Sequence, residues 1–250
     1  MRLSRLPADW HHTHLLQTDT TMSELRKEVY VRSSYAFELL TADYQTAGHG
    51  QRGTTWEAEA GQNLLFGFVF HPLMVPASKQ FLLSEALALA VRSALSVYTD
   101  EVTVKWPNDV YWRDQKICGM LLEHTLSSSS ITTTVTGVGI NINQTVFHSD
   151  APNPVSLQQI VGYEVDRAEV LGKVVEEFYQ RYGWISDGHY AKVHKEYCKH
   201  LYRGQGLHTY KDKEGTFRAS IEKISSMGML TLRKADGSLH TYAFKEVSFV

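Results

Sequence analysis

The densest chemistry in the chain lies in Gly48-His49-Gly50-Gln51-Arg52-Gly53-Thr54-Thr55-Trp56. Its three glycines open backbone angles closed to other residues and bare N–H groups that can cradle an anion. Arg52 adds a guanidinium fork suited to phosphate or carboxylate, and Trp56 adds a flat face for stacking. A glycine-rich surface turn accounts for the glycines just as well, so the other polar segments must decide between the two.

Lys105-Trp106-Pro107-Asn108-Asp109 is the first of these. Pro107 and Asn108 suit a hairpin turn, which leaves the Lys-Trp pair ahead of a carboxylate unexplained. Lys116 opens an otherwise apolar strand, Lys-Ile-Cys-Gly-Met-Leu-Leu, where a lysine ordinarily faces solvent. Gly137-Val-Gly139-Ile-Asn141-Ile-Asn143 puts alternate glycines in a strand, a weakness unless something must approach the backbone closely. Its Gly-x-Gly is not a dinucleotide fingerprint, because Ile142 stands where the third glycine belongs and no helix opens there. No Walker-type Gly-x-x-x-x-Gly-Lys-Ser/Thr occurs either.

The elements around these residues predict an α+β fold. His11 to Met22 reads as a short strand running into a polar turn. His11, His12 and His14 have no cysteine or carboxylate cluster beside them in sequence, so no metal site is expected. Asp19-Thr20-Thr21 caps a helix predicted over Ser23–Arg32, unless those hydroxyls face a ligand. Strands follow at Phe37–Tyr44 and Asn63–Phe70, and residues 78–98, apolar all round, predict a buried helix. Val102–Trp106, Val110–Trp112, Lys116–Leu126 and Ile131–Asn143 alternate β-formers with short turns, giving a hairpin-rich, mostly antiparallel sheet. Ser127–Ser130 is its exposed hairpin tip. Helices are expected at Leu157–Val161, at Asp166–Ile185 with Asp166 and Glu169 as a capping box, and at Tyr190–Leu201. From Tyr202 the chain breaks into short strands separated by Gly204, Gly206, Gly215, Gly228 and Gly237, the texture of a small β-barrel. The expected units are therefore 1–200 and 201–250.

With 250 residues, 43% of them hydrophobic and 21% charged, the chain can bury a sizeable core. A formal net charge of -2 argues against a general electrostatic attraction to nucleic acid. Met1 to Trp10 lacks a signal-peptide core and no run reaches about 18 apolar residues, so a cytoplasmic protein without a membrane partner is the expectation. Cys118 and Cys198, alone in unrelated contexts, predict free thiols.

In order, the chain holds Tyr-Gln-Thr-Ala-Gly-His-Gly-x-x-Gly-x-x-Trp, Gly-x-Asn-Leu, Lys-Trp-Pro-Asn-Asp-Val-Tyr, Lys-Ile-Cys-Gly-Met-Leu-Leu-Glu and Gly-Val-Gly-Ile-Asn-Ile-Asn. Each segment alone is a weak sign, but five in sequence over residues 44–143 resemble the biotin protein ligases, the biotin–[acetyl-CoA-carboxylase] ligases. The resemblance extends over essentially the whole chain. It implies a class II synthetase-like catalytic domain, a mixed and mostly antiparallel sheet packed with helices, followed by a small SH3-like β-barrel. It also implies a two-step synthetase. Biotin and ATP, with Mg²⁺, form biotinyl-5′-adenylate, and a lysine of a biotin carboxyl carrier protein then takes the biotinyl group.

By the same resemblance, Thr20, Thr21, Gln45, Gly50 and Arg52 would line a biotin pocket, within a ligand-wrapping loop that includes Gly48, Gln51 and Gly53. Lys116 would hold the biotin carboxylate and the α-phosphate, beside Gly119. Trp56 would pack near the adenine, while Asn108, Asp109, Gly139 and Asn141 would adjoin ribose, phosphate or metal. Asp109 would also receive the proton of the incoming lysine, giving Lys116, Asp109 and Arg52 as the catalytic set. The family loop carries arginine where His49, Gln51 and Thr54 stand here, and its Ser/Thr-Thr-Asn turn reads Thr20-Thr21-Met22. Retention of the adenylate is the property these departures affect. Too few residues precede the Thr-Thr turn for the DNA-binding domain of some relatives, so no DNA role is expected, and a homodimer through sheet edges is open. A lipoate–protein ligase-like acyltransferase, or a ligand- or peptide-binding module without ATP turnover, are the competing readings.

Overall fold

A computed structural model describes residues 1, 3, 6–50, 54–149 and 153–250. Leu64–Phe70 is buried at every position, as a strand must be when both faces of its sheet are covered. It is β3 of a seven-stranded sheet that also contains β1 (Trp10–Thr18), β2 (Phe37–Gln45), β4 (Val102–Lys105), β5 (Asp109–Trp112), β6 (Gln115–Ser127) and β7 (Ser130–Ile140). The spatial order is β1-β2-β3-β7-β6-β5-β4, with β1 and β2 parallel and the other neighbours antiparallel.

One face carries most of the core. Phe66, Phe68 and Phe70 alternate toward it and meet Trp10, Phe37 and Phe178, with Trp10 stacked on Phe37 at 4.4 Å between ring centroids. Helix α3 (Phe81–Leu95) is buried on nearly all sides because α5 (Arg167–Ser186) and α6 (Tyr190–Lys199) pack against it. Asp166 caps α5 by accepting from the Ala168 N–H. The opposite face holds a smaller cluster, in which Met22 and Leu25 of α1 (Thr21–Leu25) cover Leu40, Val69 and Val135.

Two segments depart from the sequence expectation. The helix predicted over Ser23–Arg32 is two short helices, α1 and α2 (Glu28–Val31), because Lys27 is extended between them. The β-branched Val29 and Val31 give little helix propensity with which to bridge that break. The strand predicted to reach Asn143 ends at Ile140, where Asn141 and Asn143 turn to bond the chain beyond.

After α4 (Leu157–Val161), α5 and α6, the chain crosses to a second sheet. Leu201 pairs beside Val104, so the crossing runs along the β4 edge. This sheet is antiparallel, ordered β11 (Leu239–Tyr242), β10 (Leu230–Lys234), β9 (Gly215–Ile224), β8 (His208–Asp212), β12 (Ser248–Phe249), in keeping with the SH3-like expectation. It docks through Gly228. That residue, at φ +82°, lies against Phe81 and Phe244, and its carbonyl accepts from the Trp106 indole Nε1–H at 2.8 Å. Among the described residues no helix is long and apolar enough to cross a membrane.

Trp106→Phe leaves the Gly228 carbonyl without its donor and also removes buried ring volume, which together should cost at least about 1–3 kcal/mol. Urea unfolding would measure this, and an unchanged midpoint would mean that the carbonyl finds another donor.

Candidate active site

The register of the sheet places the polar residues in one transverse row. Lys105 of β4 pairs with Asp109 of β5, Asp109 with Gly119 of β6, Gly119 with Gly139 of β7, and Gly139 with Leu65 of β3. Cross-strand partners point to the same face, here the face away from α3. Segments far apart in sequence are thereby aligned over five strands.

Lys116 joins the row through an irregularity. Val110 pairs with Cys118 but Tyr111 pairs with Lys116, so Ile117 is an extra residue, a β-bulge. Regular alternation would put Lys116, three positions from Gly119, on the opposite face; the bulge restores it to the Gly119 face. Ile117 and Cys118 both turn into the core and are fully buried. The bulge also has its backbone bonds. Lys116 donates to Asn153 and accepts from Val155, and the Ile117 carbonyl accepts from Asn141. The Lys116 Nζ therefore reaches the Asp109 Oδ1 at 2.7 Å, with both side chains about a quarter exposed.

The glycines make room for an aromatic ring. A Cβ on Gly139 would come within 2.6 Å of the Trp56 Nε1, and one on Gly119 would stand 3.0 Å from the same indole and 3.3 Å from the Lys116 chain. Trp56 thus lies flat against the backbone of two paired strands, 5.8 Å from the Lys116 ammonium to its ring centroid. Met22 uses Gly137 in the same way. The Gly48–Trp56 loop is pinned at its base, where Trp56 N–H bonds the Gly48 carbonyl at 2.9 Å and Gly50 N–H bonds Thr54 at 2.6 Å.

These groups surround a cavity of about 850 Å³, within the range of small-molecule sites. Of the residues expected from the sequence, Thr20, Thr21, Gln45, Gly50, Trp56, Asn108, Asp109, Lys116, Gly119, Gly139 and Asn141 line it. Gly48 does not; it closes the base of the loop, where a Cβ would meet the Trp56 carbonyl at 3.0 Å. Gln51, Arg52 and Gly53 fall outside the described residues. Thr20 serves as the N-cap of α1, accepting from Ser23, and Thr21 N–H donates to the Gln45 side-chain oxygen at 2.7 Å, which turns the Gln45 amide nitrogen toward Gly48. The Asn108 amide donates to the Met120 carbonyl. Asn141 donates to Val155, and its Oδ1 is buried without a partner, as is the Trp56 Nε1. Both residues line the cavity, although the two unpartnered atoms themselves are buried.

Sequence reasoning assigned no role to Lys105, which also lines the cavity. Its Nζ donates to the Tyr111 hydroxyl at 2.9 Å and lies among the rings of Tyr111, Tyr202 and Phe249. Burial pushes its ammonium below the usual lysine range, while the nearby Asp109 pulls the other way. The Lys-Trp pair was the available signal. Tyr202, Arg203 and Phe249, which also line the cavity, had none, because only the docking of the second sheet brings them there.

The model of the biotin/lipoate A/B protein ligase family matches residues 15–141. The chain belongs to that family. Within it, the similarities are to biotin protein ligases. The biotin–[acetyl-CoA-carboxylase] ligase of Paracoccus denitrificans is 33% identical over 171 residues, covering 66% of this chain and 70% of that protein. The bifunctional ligase/repressor BirA of Bacillus spizizenii is 29% identical over 241 residues, 92% of this chain and 72% of its own length. The chain spans between 43% and 54% of three further bifunctional relatives. The biotin protein ligase from Aquifex aeolicus in complex with biotin and ATP superposes with a TM-score of 0.78 at 25% identity, covering 96% of this chain and 98% of that one.

Gly139→Ala should drive the Trp56 indole off the sheet. The expected result is a larger fraction of tryptophan fluorescence open to acrylamide quenching with the fold retained; an unchanged fraction would mean that the ring has another resting place.

Proposed function

We propose that this chain is a biotin–[acetyl-CoA-carboxylase] ligase. An oxygen of the biotin carboxylate attacks the α-phosphorus of ATP, the bond to pyrophosphate breaks, and biotinyl-5′-adenylate forms. A lysine amine of the biotin carboxyl carrier protein then attacks the acyl carbon, and AMP leaves. On this reading residues 1–200 carry the chemistry and 201–250 form the smaller unit. A homodimer formed through the first sheet would use β1, the edge left open among the described residues once Leu201 covers β4.

The observation that supports this most is the Lys116–Asp109 pair facing a cavity floored by Gly119, Gly139 and Trp56. The first step brings two anions together, so a cation must stand where charge accumulates. Lys116 would exchange Asp109 for a biotin carboxylate or α-phosphate oxygen. That exchange would leave Asp109 an acceptor without its cation, suited to take a proton from the incoming amine. Trp56 and Asn141 would hold the nucleotide, by stacking and through the orphaned Asn141 oxygen. Thr21 and Gln45 would meet the polar ring of biotin. Arg52 and its neighbours Gln51 and Gly53 would complete the lid, keeping water from the adenylate. No group of three or more His, Cys, Asp or Glu side chains able to hold a metal ion occurs among the described residues. Mg²⁺ would accordingly come with the ATP phosphates, whose charge it neutralises.

Biotin-dependent exchange of labelled pyrophosphate into ATP tests the activity; exchange with lipoate instead of biotin, or none with either, would refute it. Lys116→Ala should lower exchange by roughly 10²–10³ or more with little change in melting temperature, whereas Asp109→Asn should slow transfer from preformed adenylate more than exchange. Near-normal rates in either step would remove the corresponding role.

A further inference from the structure

Behind the sheet, away from the cavity, α3 and α6 assemble a second reactive group. His194 and Cys198 stand one turn apart on α6 and so share a face. Glu85 of α3, 1% exposed, meets the His194 Nδ1 at 2.7 Å, and the His194 Nε2 lies 3.6 Å from the Cys198 Sγ. The order carboxylate, imidazole, thiol is the one found around cysteine nucleophiles: the carboxylate orients the ring, and the ring stands beside the sulfur. A second observation shows that this is more than a cysteine near a histidine. The other Glu85 oxygen, Oε2, is buried with no partner, and burial pushes the Glu85 carboxyl above its usual range while the bond to His194 opposes that push.

The surrounding charges leave the group to itself. Arg181 of α5 is taken up by Glu177 and by Glu196 of α6, and Arg92 of α3 bonds the Val102 carbonyl. Lys192 of α6 lies over the Trp184 ring, Lys195 and Lys199 are the other lysines of that helix, and the Tyr197 phenol is buried beside Glu85 and Cys198. The bonds to Cys198 and to Glu85 push the His194 imidazole up to about 10, against the effect of burial. Access separates the two cysteines. Cys198 is partly exposed, while Cys118 is fully buried and its thiol is pushed up by that burial.

We propose that Cys198, with His194 and Glu85, is a modification site for small disulfides by thiol–disulfide exchange. The Cys198 thiol loses its proton to solvent, its sulfur attacks one sulfur of the disulfide, a new S–S bond forms as the old one breaks, and the other half leaves as a thiolate that takes a proton from solvent. No further oxidant is required. The adduct would lie two residues before His200, whose carbonyl bonds the Val104 N–H of β4.

The test exposes the intact protein to oxidised glutathione at about pH 6.5, close to the ordinary histidine value, and follows the adduct by intact mass and peptide mapping. One glutathionyl group should appear on Cys198, about tenfold or more faster in the native protein than on the same cysteine in the urea-unfolded chain. His194→Gln should remove that acceleration. Native Cys198 reacting no faster than in the unfolded chain, modification first at Cys118, or acceleration surviving in His194→Gln would each overturn the proposal. The native-against-unfolded comparison needs no variant, so poor folding of His194→Gln would not blunt it.

Discussion

One extra residue in β6 governs where the chemistry can occur. Without the bulge at Ile117, the alternation of a strand would send Lys116 to the helical face, into the core around Phe66 and α3. With it, a lysine and a carboxylate from neighbouring strands meet at 2.7 Å on the open face. On the proposed reading this mutual bond would hold each charge only until a substrate anion replaces Asp109 beside the lysine. The bulge is sustained from outside the hairpin by Asn153, Val155 and Asn141, so the segment after β7 is part of the machinery that aims Lys116.

The glycines of the row follow from the same geometry. Gly119 and Gly139 face each other across β6 and β7, and both lack the Cβ that would block Trp56. Glycine in a strand interior weakens it. Here the weakness is offset by the long β6–β7 ladder and by α3, α5 and α6 packed on the other face. What is gained is a flat backbone surface wide enough for an indole, with a lysine at its edge. The sheet is thus thinnest beneath the Trp56 indole.

Much of this was legible in the sequence, and the exceptions have physical reasons. The apolar run Asn63–Phe70 read as a strand and the all-round apolar residues 78–98 as a buried helix, and both segments lie in the core. The glycine alternation in Gly137–Asn143 signalled close approach correctly, although a sequence cannot say that the approaching groups are Met22 and Trp56. By its local sequence Lys116 read as a solvent-facing strand start, and only the family resemblance put it in the site, since a bulge depends on the partner strand and leaves no local mark. Lys105 was passed over because its burial comes from Tyr202 and Phe249, about a hundred residues and more away. Gly48 resembled its neighbours in composition but serves only to close the loop. Asn63 and Asn143, polar and within or beside recognised segments, fasten the loops around Gln144 and Val165.

The account turns on Lys116 changing partners. A crystal structure with biotin and a non-hydrolysable ATP analogue measures this directly. The prediction is that the Lys116 Nζ has left Asp109 and lies within about 3 Å of a biotin carboxylate or α-phosphate oxygen, with the Trp56 indole still resting on Gly119 and Gly139. A Lys116 that remains on Asp109, or that turns from the cavity while both substrates are bound, would contradict it.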